Sequence, residues 1–340
     1  KTLRKYMSSL KKISLKDIAE AAGVSTALVS FVLNGKRKEY RVGEETAQRI
    51  LKIANDMNYQ PNLAAKSLRS GKTKTIGLVV SDISNPFFSQ LARVLEDEAA
   101  KQNYTVLFGS SDENKDKMNS LVGNLINKGV DGLIIVPCEG SERIIASLVY
   151  DNVPIVLFDR YFSDINVSYV ALNNFNASYV LTKHLLEVGY NAPCMVAYDV
   201  DLIHMKERVR GYKKAMGDVG KKNFINVVCL KQNAPRKSAD RLLPKMVDAG
   251  VDAFLFATNM ISLACLYTIK DMGKGIVGKI GLAGFDGNPA FDFFNVPISY
   301  IRQPIDILAQ KALEILIDSM ANGNTVQSVL AEGELVEMIS

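Results

Sequence analysis

Between Gly23 and Gly35 the sequence runs GVSTALVSFVLNG. Its side chains of chemical interest are the small hydroxyls of Ser25, Thr26 and Ser30, with Ala27, Phe31 and Asn34 beside them. On a short helix, residues three and four apart become neighbours. These side chains then gather on the outward side of the helix. Hydroxyls and an amide can exchange hydrogen bonds with base edges, and an aromatic ring can pack on thymine methyls. This is the chemistry of recognition, and the rest of the chain offers little for catalysis. Only two histidines occur, His184 and His204, and the cysteines Cys138, Cys194, Cys229 and Cys265 stand far apart with no CxxC pair. Such spacing disfavours a metal site or a His-dependent triad. The cysteines read as buried, reduced thiols, and no cofactor or metal is expected.

The elements that must position that strip are legible on either side of it. Ser14 and Asp17 form an S-x-x-D capping pattern, and Leu15, Ile18, Ala19 and Ala22 recur at helical spacing. Gly23 suits the left-handed residue that ends such a helix. Val24 turns inward, Ser25 caps a second helix, and Leu28, Val29, Val32 and Leu33 form that helix's inner face. Ala19 must be small because the second helix crosses over it. This spacing predicts a helix-turn-helix, whose second helix fits a major groove about 12 Å wide. A basic loop follows, Gly35 to Arg41, suited to phosphates. A third helix over about Glu44–Met57, with Ala47, Ile50, Leu51, Ala54 and Met57, closes a three-helix core. Pro61 and Asn62 then break the chain. Leu63 to Arg69 is a helical segment too short to be stable alone, and Ser70 to Lys72 is linker.

Charge agrees with this division. Residues 1–74 hold 16 basic against 6 acidic side chains, a net of +10, and the remainder holds 25 against 30, a net of −5, within an overall +5. A basic head on a mildly acidic body points to a polyanionic partner. The length of 340 residues suggests two or three domains, and 48% apolar content gives a normal core. The basic start lacks the apolar core of a secretory signal, and no run is long enough for a membrane span, so a cytoplasmic, nucleoid-associated location is expected.

From about residue 73 onward, strands alternate with helices. The runs TIGLVVS, YTVLFGS, DGLIIVP and PIVLFDR are continuously apolar, and CMVAY, NVVCL, AFLFAT and IGLAGFD form a second series. Strands buried on both faces read this way, as in parallel sheets covered by helices. Two α/β lobes of this kind leave a cleft at their strand C-termini. Residues at those ends are candidates for a ligand: Asn85, Phe87 and Phe88 after the first strand, Asp159 and Arg160 after the fourth, then Thr258, Asn259 and Asp286. The two phenylalanines could stack on a ligand or serve as core, and Asp159 and Asp286 could cap strands. GKGIVG, Gly273 to Gly278, fits G-x-G-x-x-G, but it follows a helix and precedes a strand. That is the reverse of a dinucleotide site, so it is read as a loop.

LKDIAEAAGVSTALVSFVLNG, followed by NYQPNLAAKSLRSGKTKTIGLVVSDISNPFF, resembles the LacI/GalR family of bacterial transcription regulators over nearly the whole chain. The resemblance implies an all-α helix-turn-helix head at 13–60, a hinge helix and linker at 61–72, and a periplasmic-binding-protein-like body at 73–340. The body's N-lobe would comprise about 73–160 plus 290–322, and its C-lobe 161–289 plus 323–340. It implies hinge helices that pair on operator DNA, with Asn62, Ala65 and Arg69 at the contact and Leu68 wedged into the minor groove. It implies Arg208 on the effector, a sugar by default, and a homodimer on a palindromic operator. Two departures stand out. Phe31 occupies the position where many relatives carry a guanine-reading arginine. The loop before Val42 is longer and more basic than in well-known members. The rival readings, a solute receptor or an enzyme using the cleft, fit neither the basic head nor the missing nucleophile. The expected function is a ligand-controlled regulator, a repressor by preference.

Overall fold

Ser14 begins the first helix by a reciprocal cap. Its hydroxyl accepts the Asp17 N–H, and the Asp17 carboxylate accepts the Ser14 N–H at 2.8 Å. The helix α1, Leu15–Ala22, ends at Gly23 with φ +66°, a backbone conformation that favours glycine. The Ser25 hydroxyl then accepts the Leu28 N–H at 3.3 Å and opens α2, Thr26–Leu33. Together with α3, Glu44–Asp56, these helices bury Ile18, Ala19, Ala22, Val29, Val32, Ala47, Ile50 and Ala54. Leu28 and Leu33 pack against that core only half-buried. Leu51, expected inside, is 41% exposed.

This computed structural model describes residues 13–59, 71–273, 275–288, 291, 297–323 and 325–338. Asn62, Ala65, Leu68 and Arg69 lie outside the described residues. Two units separate, 1–73 and 74–340, and the second holds two six-stranded sheets.

The first sheet comprises β1 Thr75–Val80, β2 Thr105–Ser110, β3 Gly132–Ile135, β4 Ile155–Phe158, β5 Tyr169–Leu172 and β11 Ser328–Ala331, in the order β11-β5-β4-β3-β1-β2. Every pairing in it is parallel. The helices α4 Pro86–Lys101, α5 Lys115–Asn127, α6 Glu142–Tyr150 and α11 Ile305–Asn322 supply side chains to its two core clusters. The second sheet comprises β6 Pro193–Tyr198, β7 Asn226–Leu230, β8 Ala253–Phe256, β9 Gly281–Phe285, β10 Ile298–Arg302 and β12 Glu334–Val336, in the order β12-β10-β9-β8-β6-β7. Only its β10–β12 pair is antiparallel. Its core draws on α7 Asn174–Glu187, α8 Ile203–Asp218, α9 Pro235–Asp248 and α10 Asn259–Asp271.

Sheet membership corrects the expected lobe limits. Tyr169–Leu172, assigned to the C-lobe, pairs in the first sheet, whereas Ile298–Arg302, assigned to the N-lobe, pairs in the second. Ser328–Ala331 and Glu334–Val336, adjacent in the chain, also join different sheets, the first pairing with β5 and the second with β10. An apolar run shows that a strand is buried, not which sheet it joins. The run containing β2 is also not buried on both faces: β2 lies at an edge, and Phe108 is 61% exposed. Cys229 is exposed, while the other three cysteines are buried thiols. Between α10 and β9, residues 275–279 form turns, so the described part of GKGIVG is a loop.

No helix among the described residues is long and apolar enough to cross a membrane, and no cluster of His, Cys, Asp and Glu among them could hold a metal ion.

Candidate functional site

In the head, the outward strip exists as a surface. Ser25, Thr26, Ala27 and Asn34 are exposed, and Ser30 is half-buried. The Asn34 side-chain amide donates to the Ser30 carbonyl at 2.7 Å and to its hydroxyl at 3.3 Å. Phe31 departs from expectation. Its ring lies flat against Tyr40, with centroids 3.6 Å apart and planes 2° apart. One face of Phe31 is therefore covered, and that face cannot pack on a thymine methyl. In the basic loop Arg37 pairs with Glu44 at 2.7 Å and Lys36 with Glu39 at 3.3 Å. Two of the cations expected at phosphates thus have intramolecular partners.

In the body, the parallel strands bring their C-terminal ends together at a cleft. Two cavities open there, of about 680 Å³ and about 500 Å³. Asn85, Phe88, Arg160 and Thr258 line the larger. Phe87, Asn259 and Asp286 line the smaller. Arg208 and Asp159 line neither; they are buried behind the walls. Phe87 and Phe88 belong to the first lobe's core, and each also lines a cavity. Asn85 caps α4 by accepting the Phe87 N–H at 3.1 Å, and its same oxygen accepts from the Asn259 amide at 2.9 Å, tying the lobes. A second tie runs from the Asp201 N–H to the Glu139 carboxylate at 3.1 Å. Thr258 caps α10 by accepting the Ile261 N–H at 3.1 Å.

A chain of opposed charges runs from the walls inward, with Arg160 and Glu113 lining the larger cavity, Asp286 the smaller, and Arg208 and Asp159 behind them. Both terminal nitrogens of Arg160 bond Glu113 at 2.7 Å, a bidentate fork. The Arg160 Nε lies 3.4 Å from Asp159 yet makes no hydrogen bond. Arg208 donates to Asn174 at 2.7 Å and to the Ala257 carbonyl, with its guanidinium 3.8 Å over the Phe285 ring. Asp286 accepts from Gln303 at 3.0 Å. Burial works against the Arg160 charge, but Glu113 and Asp159 more than offset it, so its pKa lies above the usual guanidinium value. Burial lowers that of Arg208, against Asp159 and Asp286. Burial raises Asp159 despite both arginines, and pushes Asp286 up to about 6. Burial, then the Arg160 and Arg208 charges, hold His204 well below the ordinary imidazole value, so it is neutral. Asp112, Glu113, Asp159 and Asp286 all adopt positive φ, between 53° and 64°. Such backbone is strained for non-glycine residues and gathers at functional sites.

Sequence reasoning missed Glu113, Tyr198, His204 and Tyr40. Glu113 and Tyr198 stand at or just past strand C-termini, the signal that found their neighbours. Nothing local marks His204 or Tyr40. The larger cavity is lined by Ser81, Arg160 and His204, and the Ser81 hydroxyl, Arg160 Nε and His204 Nδ1 are buried with no hydrogen-bond partner. Among the described residues lining the two cavities, no serine, threonine or cysteine is hydrogen-bonded to a histidine; the contact of His184 Nε2 with the Ser299 hydroxyl at 2.9 Å lies outside both.

Comparison with known proteins matches residues 14–62 to bacterial regulatory proteins of the lacI family and residues 76–291 to a periplasmic binding protein domain. The HTH-type transcriptional repressor PurR of Aliivibrio salmonicida is 29% identical over 309 residues, covering 90% of this chain and 91% of the relative. The ribose operon repressor of Halalkalibacterium halodurans is 30% identical over 308 residues, 89% of each chain. The lac repressor dimer bound to operator and the anti-inducer ONPF shares the fold, with a TM-score of 0.82 at 22% identity over 96% of this chain and 98% of that one. The chain belongs to the LacI family of bacterial regulatory proteins, a family of transcription regulators rather than enzymes.

Proposed function

We propose that the protein is a ligand-responsive, sequence-specific repressor that binds a palindromic operator as a homodimer and takes a small uncharged polar effector, a sugar or sugar derivative, in its interlobe cleft. The observation that carries this is the pairing, in one chain, of an exposed recognition-helix strip with a polar interlobe cleft lined by Asn85, Arg160, His204 and Thr258.

The charge arrangement favours an uncharged ligand. Arg160 is engaged by Glu113, and the Arg208 charge is offset by Asp159 and Asp286. Among the described residues a phosphate would find no spare buried cation in the cleft; the Lys231 that also lines the larger cavity is exposed. The name of the ribose operon repressor supports a sugar, and the operator-bound lac repressor dimer supports a two-fold assembly. The open edge strand β2, with its exposed Phe108, offers an apolar surface for a second copy.

An effector that holds the lobes at a new angle alters the spacing of the two linkers, and with it the operator complex. Coupling of this kind is worth roughly 1–3 kcal/mol. The test is duplex binding by the full chain across salt, with and without sugars, nucleobases and sugar phosphates. A regulator gives a steep log–log salt slope and an operator affinity that one neutral sugar changes. Absence of binding to every duplex at low salt rejects the regulator. Unaltered operator binding together with flat thermal-shift curves rejects the effector.

A further inference from the structure

The loop after the recognition helix is folded back on that helix. The Lys36 N–H donates to the Phe31 carbonyl at 2.9 Å, the Tyr40 N–H to the Lys36 carbonyl at 3.2 Å, and the Val42 N–H to the Arg37 carbonyl at 2.9 Å. Gly35 supplies the turn with φ +72°. The Arg37–Glu44 pair ties the loop to α3, and Val42 packs against the head's core. The product of this folding is the parallel contact of Tyr40 with Phe31.

We propose that Tyr40 is an operator-reading residue, and that Phe31, the position first expected to read, is the platform on which it stands. The proposal rests on the DNA-binding reading of the head. Phe31 projects from the outward side of α2 with Ala27 and Ser30, so a ring laid on it extends the same strip. Phe31 is half-buried, whereas Tyr40 remains 46% exposed. Tyr40 therefore presents its second face and its hydroxyl outward. That hydroxyl makes no hydrogen bond among the described residues. A phenol can both donate and accept, and its ring can lie on a thymine methyl, so one tyrosine can tell base pairs apart in the major groove. Lys38 and Arg41, both exposed, flank it and suit the phosphates on either side. A flat aromatic contact also holds the ring in one orientation before DNA arrives, which lowers the ordering cost of binding.

The test uses the full chain. An operator is first selected from randomised duplexes with the wild type, and selection is repeated with Tyr40→Ala, Tyr40→Phe and Phe31→Leu. Tyr40→Ala is expected to weaken operator binding about tenfold, the size of one good base contact. It should also erase preference at one base pair in each half-site while leaving non-specific binding within about twofold. Tyr40→Phe keeps the stack and should alter preference at that same base pair. Phe31→Leu should blur that base pair too, and adding Tyr40→Ala should cost little more, because the two rings act as a unit. An unchanged preference profile for Tyr40→Ala and Tyr40→Phe overturns the proposal. So does an equal loss on specific and non-specific DNA, which marks a phosphate contact alone. Failure of the wild type to select any duplex is a different result and rejects the DNA-binding reading itself.

Discussion

Burial pushes the Asp286 carboxyl up to about 6, more than the Arg208 charge and the Gln303 hydrogen bond pull it down. In the unfolded chain the same group titrates near 3.8. The folded state thus holds the proton more tightly, so ionised Asp286 weakens folding above about pH 6, and the penalty fades as pH falls toward 4. Two pH units correspond to at most about 3 kcal/mol, less where water enters the adjoining cavity. Asp286→Asn should therefore raise thermal stability by several degrees at pH 8 and flatten the gain that the wild type shows between pH 7 and 5. Thermal melts at each pH measure this, and a wild-type stability that falls over that interval contradicts it. Glu113 gives the complementary case. Glu113→Gln leaves the buried Arg160 without its bidentate partner, which should cost about 3 kcal/mol. It also frees a cation in the cleft. Inorganic phosphate should then stabilise the variant and not the wild type in a thermal-shift assay. Of this cluster, Asp159, Arg160 and Asp286 were legible because each follows an apolar strand run. Glu113 carries the same strand-end signal, but its partnership with Arg160 spans 47 residues and is set by tertiary packing, as is the Arg160 bond to the Pro137 carbonyl beyond β3 at 3.3 Å.

The elements themselves were largely legible, because caps and apolar runs are local signals. The Ser14–Asp17 cap, the Gly23 turn and the small Ala19 under the crossing helix appear where the spacing put them. The distribution of strands between two sheets was not legible, since pairing partners are set by tertiary packing and not by a strand's own residues. Close helix contacts are similarly silent in the sequence. Gly211 on α8 abuts α7 so closely that an added Cβ would lie 2.2 Å from the Phe175 carbonyl oxygen and 3.0 Å from the Tyr179 nitrogen. Backbone atoms cannot yield as a flexible side chain does. Gly211→Ala should thus force α7 and α8 apart and cost about 3 kcal/mol, as over-packing does. Chemical denaturation measures it, and a loss below about 0.5 kcal/mol, the scale of an ordinary surface change, shows that the two helices accommodate a methyl group.

At the scale of the whole molecule, the proposed function makes two coupled demands: that copies associate, and that the lobes report a ligand. Phe108 on the open edge of the first sheet, 61% exposed, addresses the first. Phe108→Glu should convert a dimer to a monomer in sedimentation velocity and weaken operator binding with it, whereas a variant that sediments as a dimer removes β2 from the interface. The second question turns on the tie between the Asp201 N–H and Glu139. Glu139 is exposed and lines neither cavity, so Glu139→Ala loosens the lobes without altering the cavity walls. A hydrogen bond of this kind contributes about 1 kcal/mol net, so its loss should shift the balance between lobe arrangements about fivefold. Because the arrangement that favours the effector either opposes or supports the one that favours DNA, both affinities must move together. If the effector releases the operator, Glu139→Ala changes the two dissociation constants in opposite directions. If it strengthens binding, they change in the same direction. In either case, linkage requires that the factor by which effector alters operator affinity equal the factor by which operator alters effector affinity. Titrating each ligand in the presence and absence of the other, for wild type and Glu139→Ala, measures all four constants. Two affinities that stay within about twofold of the wild type would mean that the lobe angle seen here does not carry the signal.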